Sequence, residues 1–209
     1  MAEMQELLRM VRSLPYRALD EMAEDIPDIL AGFFRRADPA ELRRIQDRIG
    51  STVAELQGVV EEFKRERPLS FTPAPDPAPL PRTLLRLRHD FVMIGRASAE
   101  PLPAHVSENL RPALNRLGAA LGNYFRGCAL APTSRHKAVH LRPPQEQLNA
   151  CASELATFRQ RNFTYLSASQ LEQLFALSFA LEQLQRNIND LERCVEEWAS
   201  SLGRSVKSP

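Results

Sequence analysis

Residues 174–198, LFALSFALEQLQRNINDLERCVEEW, carry apolar side chains that alternate in steps of three and four without interruption. This spacing places them along one face of an α-helix, as in helices packed into bundles or coiled coils. We call this face the seam; its members are Leu174, Leu177, Leu181, Leu184, Ile188, Leu191, Val195 and Trp198. The capping-box pattern of Ser167 and Gln170 predicts that the longest helix of the chain begins there.

A second long helix is predicted from Asp38, as N-cap, and Pro39, at the first helical position, to about residue 67. It carries a similar apolar series: Leu42, Ile45, Ile49, Thr52, Leu56, Val59 and Phe63. Ahead of it, Pro15 and Pro27 predict three short helices, because the residue before a proline avoids the α conformation. At the other end of the chain, Gly203 predicts a helix stop, with residues 203–209 as a disordered tail.

The fold class follows from these patterns and from the near absence of strand signals. We predict an all-α bundle of about six or seven helices, two of them long and seam-bearing. The prolines of residues 68–81 predict a stiff linker, with an SH3-type ligand as the alternative. An N-terminal helical segment, 1–67, precedes this linker. The region 82–202 follows it and is expected to pack with 38–67 as one domain. Within 82–202, Pro112 predicts either a kink or a helix restart at Asn109.

Composition excludes some functions. The 27 basic and 26 acidic residues nearly cancel, so charge does not predict a nucleic-acid binder. Residues 68–142 are the basic part, with ten basic and four acidic side chains, a charge balance compatible with nucleic acid, an anionic lipid or an organic anion. The aromatic residues lie mostly on the apolar helix faces, so we expect no nucleic-acid partner. The three cysteines form no CxxC pair, which favours reduced thiols. No apolar stretch reaches the roughly 18–20 residues that span a bilayer, so we expect a soluble chain.

Candidate catalytic and metal-binding residues are few. His136 and His140 are four residues apart, but no carboxylate or cysteine accompanies them at metal-ligand spacing. His89 and Asp90 are adjacent without a nucleophile motif nearby, and glycine-rich phosphate-binding motifs do not occur. We therefore expect no enzyme activity and no catalytic, cofactor or metal site.

Residues 82–97, RTLLRLRHDFVMIGRA, combine an apolar helical face with a dense charged edge. Leu84, Leu87, Phe91 and Ile94 predict a buried face, and Arg86 is placed to pair with Asp90 one turn later. The edge is either the solvated side of a core helix or a functional contact surface. As a contact surface it consists of Arg82, Arg86, Arg88, His89, Asp90 and Arg96.

RLRHD at 86–90, VMIGRA at 92–97 and FALEQLQRNINDL at 179–191 resemble the cytoplasmic portion of bacterial fusaric-acid-resistance proteins, the FUSC or aromatic-acid-exporter family. The resemblance implies a helical domain on the cytoplasmic side of an inner-membrane efflux protein for aromatic or other organic acids. Lacking a transmembrane segment, such a chain would support assembly or substrate access and would not transport alone. The expected partners are the transmembrane part of the same or a partner exporter, a second copy, or an organic anion. The alternative is a free-standing helical adaptor that dimerises through its C-terminal helix.

Overall fold

The computed structural model describes residues 2–36, 38–66, 79–130 and 143–205, and within these ranges the chain is helical without a β-strand. This confirms the predicted all-α bundle. The described residues form six helices: α1 (Ala2–Ala31), α2 (Pro39–Glu66), α3 (Pro79–Ala97), α4 (Ala104–Leu130), α5 (Gln145–Asn162) and α6 (Ala168–Ser205). None of these helices is both long enough and apolar enough to cross a bilayer.

Helix α1 is continuous through Pro15 and Pro27, so the prediction of three short helices was wrong. A proline inside a helix removes a hydrogen bond and costs about 3 kcal/mol. Burial of one face of α1 opposes that cost, because each large apolar side chain buried on it contributes about 1.5–3 kcal/mol. The side chains that are at most 1 % exposed on this face are Ala18, Leu19, Met22, Ala23, Ile26 and Ile29.

The starts of the two long helices agree with their predicted caps. The Ala40 amide donates to Asp38 Oδ1 over 2.9 Å at the start of α2. At the start of α6, the Ser167 amide donates to Gln170 Oε1 over 3.0 Å, and the Gln170 amide donates to Ser167 Oγ over 3.3 Å. Both patterns satisfy amide groups that the first helical turn leaves without partners.

Two predicted boundaries differ from the structure, and at Pro112 one of the two open alternatives is excluded. Helix α3 begins at Pro79, inside the predicted linker, because a proline in the first turn has no amide that needs a helical partner. Helix α4 continues through Pro112 without a restart at Asn109. Helix α6 extends to Ser205, past the predicted stop at Gly203. The remainder of the predicted linker, 68–78, and of the predicted tail, 206–209, lies outside the described residues.

Successive helices alternate in direction, and one hydrophobic core extends through all six. The connections after α1, α3 and α5 lie at one end of the bundle. There the Leu102 amide donates to the Phe33 carbonyl, and Gln173 Nε2 donates to the carbonyls of Ala97 and Glu100. Helix α3 packs against α1, α2 and α6. As a result, the charged edge of α3 lies beside α6.

Candidate functional site

A groove of about 500 Å³ separates the exposed edges of α3 and α6. We call it the α3–α6 groove. From α3 it is lined by Leu85, Arg86, Arg88, His89, Asp90 and Met93, and from α6 by Phe179, Ala180, Gln183 and Asn187. Four of the six residues of the predicted contact surface therefore line one groove, whereas Arg82 and Arg96 are exposed outside its lining.

Asn187 of α6 connects two charged residues of α3. Arg86 Nε donates to Asn187 Oδ1 over 3.0 Å, and Asn187 Nδ2 donates to Asp90 Oδ2 over 2.6 Å. Arg86 Nη2 also donates to Asp190 Oδ2 over 2.7 Å. Arg86 and Asp90 therefore make hydrogen bonds to side chains of α6, in place of the predicted pair with each other.

Asp90 is a buried carboxyl group, only 3 % exposed, on the wall of the groove. Burial raises the pKa of Asp90 to about 6, since removing a carboxylate from water disfavours its charged form. The Asn187 hydrogen bond and the charges of His89 and Arg86 act in the opposite direction. Asp90 is therefore a group that changes charge near neutral pH.

Arg88 has no acidic partner among the described residues. Its Nε is buried and makes no hydrogen bond. The guanidinium lies directly on α2, because a Cβ atom at Gly50 would be 2.8 Å from Arg88 Nε. The glycine leaves room for the guanidinium and supplies no charge to neutralise it. Arg88 is thus a positioned cation with unused hydrogen-bonding capacity.

The groove also exposes apolar surface. Phe179 is 54 % exposed and Leu85 is 41 % exposed, both unusually high for large apolar side chains beside a well-packed core. Met93 lines the same groove and is half-buried. An apolar wall in a groove that Arg86 and His89 also line suits a ligand that has an apolar body and an anionic group.

Another cavity, of about 580 Å³, lies between α4 and α5 and is less suited to an anion. Its lining includes the buried Tyr124 together with Asn123, Gln145 and Glu146. Burial raises the pKa of Tyr124 far above its usual value, so the phenol stays neutral. The charged side chain in this lining is the carboxylate of Glu146, which repels anions. The α3–α6 groove is therefore the better candidate site.

The seam of α6 is buried within one chain. Leu174, Leu177, Leu181, Leu184, Ile188 and Leu191 are each at most 2 % exposed. Val195 is partly buried against the core, and the side chain of Trp198 lies outside the described residues. Because intramolecular packing occupies these six buried residues, that part of the seam is not a free surface for a second copy.

Other residues considered from the sequence add no site. His136 and His140 lie outside the described residues, as do Arg135, Lys137 and Arg142 of the basic region. No group of three or more His, Cys, Asp or Glu side chains suited to a metal ion occurs in the described ranges. Cys128 and Cys151 are buried, and burial raises the pKa of each thiol to about 12, which disfavours the reactive thiolate.

Sequence reasoning missed the contributions of Phe179 and Asn187 to the groove, and the contact of Gly50 with Arg88. Phe179 and Asn187 lie between seam residues and were read as part of a regular helix. One signal was available for Asn187: asparagine is a poor residue in the interior of a helix, so its presence there points to a side-chain role. Gly50 offered no comparable signal, because its role depends on a side chain from another helix.

The chain matches no family model, no curated protein and no solved structure. The geometry of the groove is therefore the basis for a functional proposal.

Proposed function

We propose that the chain is a non-enzymatic helical domain on the cytoplasmic side of a bacterial inner-membrane exporter of the FUSC type, and that it receives organic anions in the α3–α6 groove. The domain itself carries no transport step. Its role is to hold an anionic substrate, or to support assembly, next to the membrane-embedded part of the exporter. The observation that carries the proposal is the exposure of Phe179 and Leu85 in a groove that Arg86, Arg88 and His89 of α3 also line.

The chemistry of the groove supports an organic anion over an inorganic one. A guanidinium donates paired hydrogen bonds that match a carboxylate, and such charge-assisted bonds are about twice as strong as neutral ones. The exposed ring of Phe179 offers the other part of the ligand an apolar surface. The volume of about 500 Å³ lies within the range of small-molecule sites, about 300–1,000 Å³.

The location of the FUSC-like residues also supports the proposal. RLRHD lies on α3 and FALEQLQRNINDL lies on α6, far apart in the chain. In the fold these two stretches form the opposite walls of one groove. The residues that carry the resemblance are therefore also the residues that build the candidate site.

The direction of the helices is compatible with attachment to a membrane protein from one side. Six helices of alternating direction bring the start of α1 and the end of α6 to the same end of the bundle. The connections after α1, α3 and α5 lie at the opposite end. A membrane-embedded part that is joined to the start of α1 and to the end of α6 would thus lie on one side of the bundle.

Binding of benzoate, measured by isothermal titration calorimetry, tests the anion-binding part of the proposal. We expect wild-type protein to bind benzoate, and Arg88→Gln to weaken binding by about tenfold or more through loss of a charge-assisted hydrogen bond. Arg82→Gln is the matched control, because it removes the same charge from an exposed position on α3 outside the groove. Benzamide, a neutral analogue of similar shape, should bind more weakly than benzoate.

Equal weakening by Arg88→Gln and Arg82→Gln would show that general charge, not the groove, attracts the anion. Absence of benzoate binding by a folded wild-type protein would exclude a benzoate-like ligand for the groove. The exporter part is tested in cells by deleting the gene and measuring growth in the presence of aromatic acids. The native gene and its Arg82→Gln form should restore resistance, and its Arg88→Gln form should not.

A further inference from the structure

Helix α6 carries a second row of side chains on the face opposite the seam. Glu172, Phe179 and Arg186 follow one another at intervals of seven residues, and all three are exposed. Seven residues make about two helical turns, so these side chains project from the same side of the helix. Phe175 is exposed between the first two of them. We call Glu172, Phe175, Phe179 and Arg186 the outer stripe.

The middle of the outer stripe is aromatic. Phe175 and Phe179 are each 54 % exposed, one helical turn apart. The guanidinium of Arg159 lies 4.3 Å from the centroid of the Phe175 ring and covers part of it. Two large aromatic side chains exposed side by side on one helix face are typical of a surface that contacts another molecule.

The two ends of the outer stripe carry opposite charges. The ion pairs of α6 in the described part of the chain engage Asp190 and Arg193. Glu172 and Arg186 belong to none of these pairs. They lie at equal distances of seven residues before and after Phe179. The outer stripe is therefore complementary in charge to the same stripe read in the opposite direction.

From this symmetry we propose that two copies of the chain associate through the outer stripe, with their α6 helices antiparallel and their Phe179 rings in contact. A two-fold axis at Phe179 places Glu172 of each copy opposite Arg186 of the other. A parallel arrangement in register would instead bring like charges together. An antiparallel arrangement that sets Phe175 against Phe179 would bring Glu172 against Glu182. Charge complementarity thus favours the arrangement centred on Phe179.

This surface is separate from the seam, which packs within one chain, and the proposal does not depend on the proposed function. Phe179 also lines the α3–α6 groove, so a second copy on the outer stripe would border the groove. A contact between two single helix faces is small. We therefore expect a weak dimer, with a dissociation constant on the order of 100 µM.

Sedimentation equilibrium at protein concentrations up to about 1 mM tests the proposal, because this range extends beyond the expected dissociation constant. Wild-type protein should show a reversible monomer–dimer equilibrium. Phe179→Ser should weaken dimerisation by about tenfold or more, because it removes the central aromatic contact. Arg126→Glu is the control: it reverses a charge at an exposed position on α4 and should leave the equilibrium unchanged.

Charge reversal tests the antiparallel arrangement. Glu172→Arg and Arg186→Glu should each weaken dimerisation by about fivefold or more, because each creates two like-charge contacts across the two-fold axis. The double variant restores both pairs with their signs exchanged, so it should dimerise as wild type does. Both positions are exposed, and circular dichroism should show that every variant remains helical.

A wild type that stays monomeric at about 1 mM would overturn the proposal. So would dimerisation that survives Phe179→Ser, or a double variant that fails to recover the dimer. If the monomeric wild type instead sediments with vesicles of phosphatidylglycerol, and Phe179→Ser does not, the outer stripe contacts lipid and not a second copy. The benzoate titration is a separate measurement, so benzoate binding by a strictly monomeric protein would overturn this proposal and leave the proposed function standing.

Discussion

The contact between α1 and α4 and the contact between α3 and α6 are both antiparallel, yet they differ in side-chain size. Gly118 and Gly122 of α4 lie against α1, where a Cβ atom at position 122 would be 3.1 Å from the Ala23 carbonyl oxygen. Pro27 has no amide to donate to that carbonyl, and the glycine approaches it closely. Between α3 and α6, Asp90 and Asn187 meet across the contact, and a groove remains at its edge.

The difference shows how one bundle separates stability from binding. Small residues let two helix backbones approach until no space remains for a ligand. Longer polar side chains hold two helices together through hydrogen bonds, and they leave space and unused donors at the rim. The closed contact should thus be sensitive to added volume, whereas the open contact should be sensitive to changes in charge.

The largest effect is expected from truncating the buried face of α6 and comparing it with the exposed face of the same helix. Leu184 is fully buried and Phe179 is 54 % exposed. Leu184→Ala should lower the free energy of unfolding by about 2–5 kcal/mol through lost burial and a cavity. Phe179→Ala, the control, should lower it by less than about 1 kcal/mol. Urea unfolding measures both; similar losses would mean that the two faces of α6 are equally buried in solution.

The next effect concerns the pH dependence of stability at the open contact. The pKa of Asp90 is raised from 3.8 to about 6 in the folded protein, so the folded state holds the proton more tightly. Its stabilising contribution is complete below about pH 3.8, and it is lost as the pH rises through about 6. Relative to Asp90→Asn, the wild type should lose up to about 3 kcal/mol of unfolding free energy across this range. Urea unfolding at several pH values measures the loss, and parallel curves for the two proteins would contradict it.

A smaller effect is expected from adding one methyl group at the closed contact. Gly122→Ala should lower the unfolding free energy by about 1–2 kcal/mol, since the new Cβ meets the backbone carbonyl of Ala23. Gly58→Ala is the control, because a Cβ at this exposed helical position meets nothing within 4 Å. It should raise stability by up to about 1 kcal/mol through helix propensity. Thermal unfolding compares them; a stabilised Gly122→Ala would mean that α1 and α4 can separate at low cost.

Local patterns were sufficient for part of the fold. The caps at Asp38 and Ser167 involve residues at most three positions apart, so short-range sequence specifies them. The three-four alternation of the seam predicts a buried helical face for the same reason. The prediction of helix ends at Pro15 and Pro27 was wrong, because the free-energy cost of a proline inside a helix is opposed by burial of α1 against other helices. A short window of sequence does not contain those other helices.

The candidate site was predictable only as a set of charges on α3. The pattern of residues 82–97 places Arg86, His89 and Asp90 on one side of a helix and Arg88 on another side, because helical periodicity is a local property. Which residues meet that edge depends on how α2 and α6 pack against it. That packing separates Arg88, resting on Gly50 without an acidic partner, from Asp90, which is held by Asn187. Contacts of this kind join positions far apart in the chain, so the groove arises only when the helices assemble.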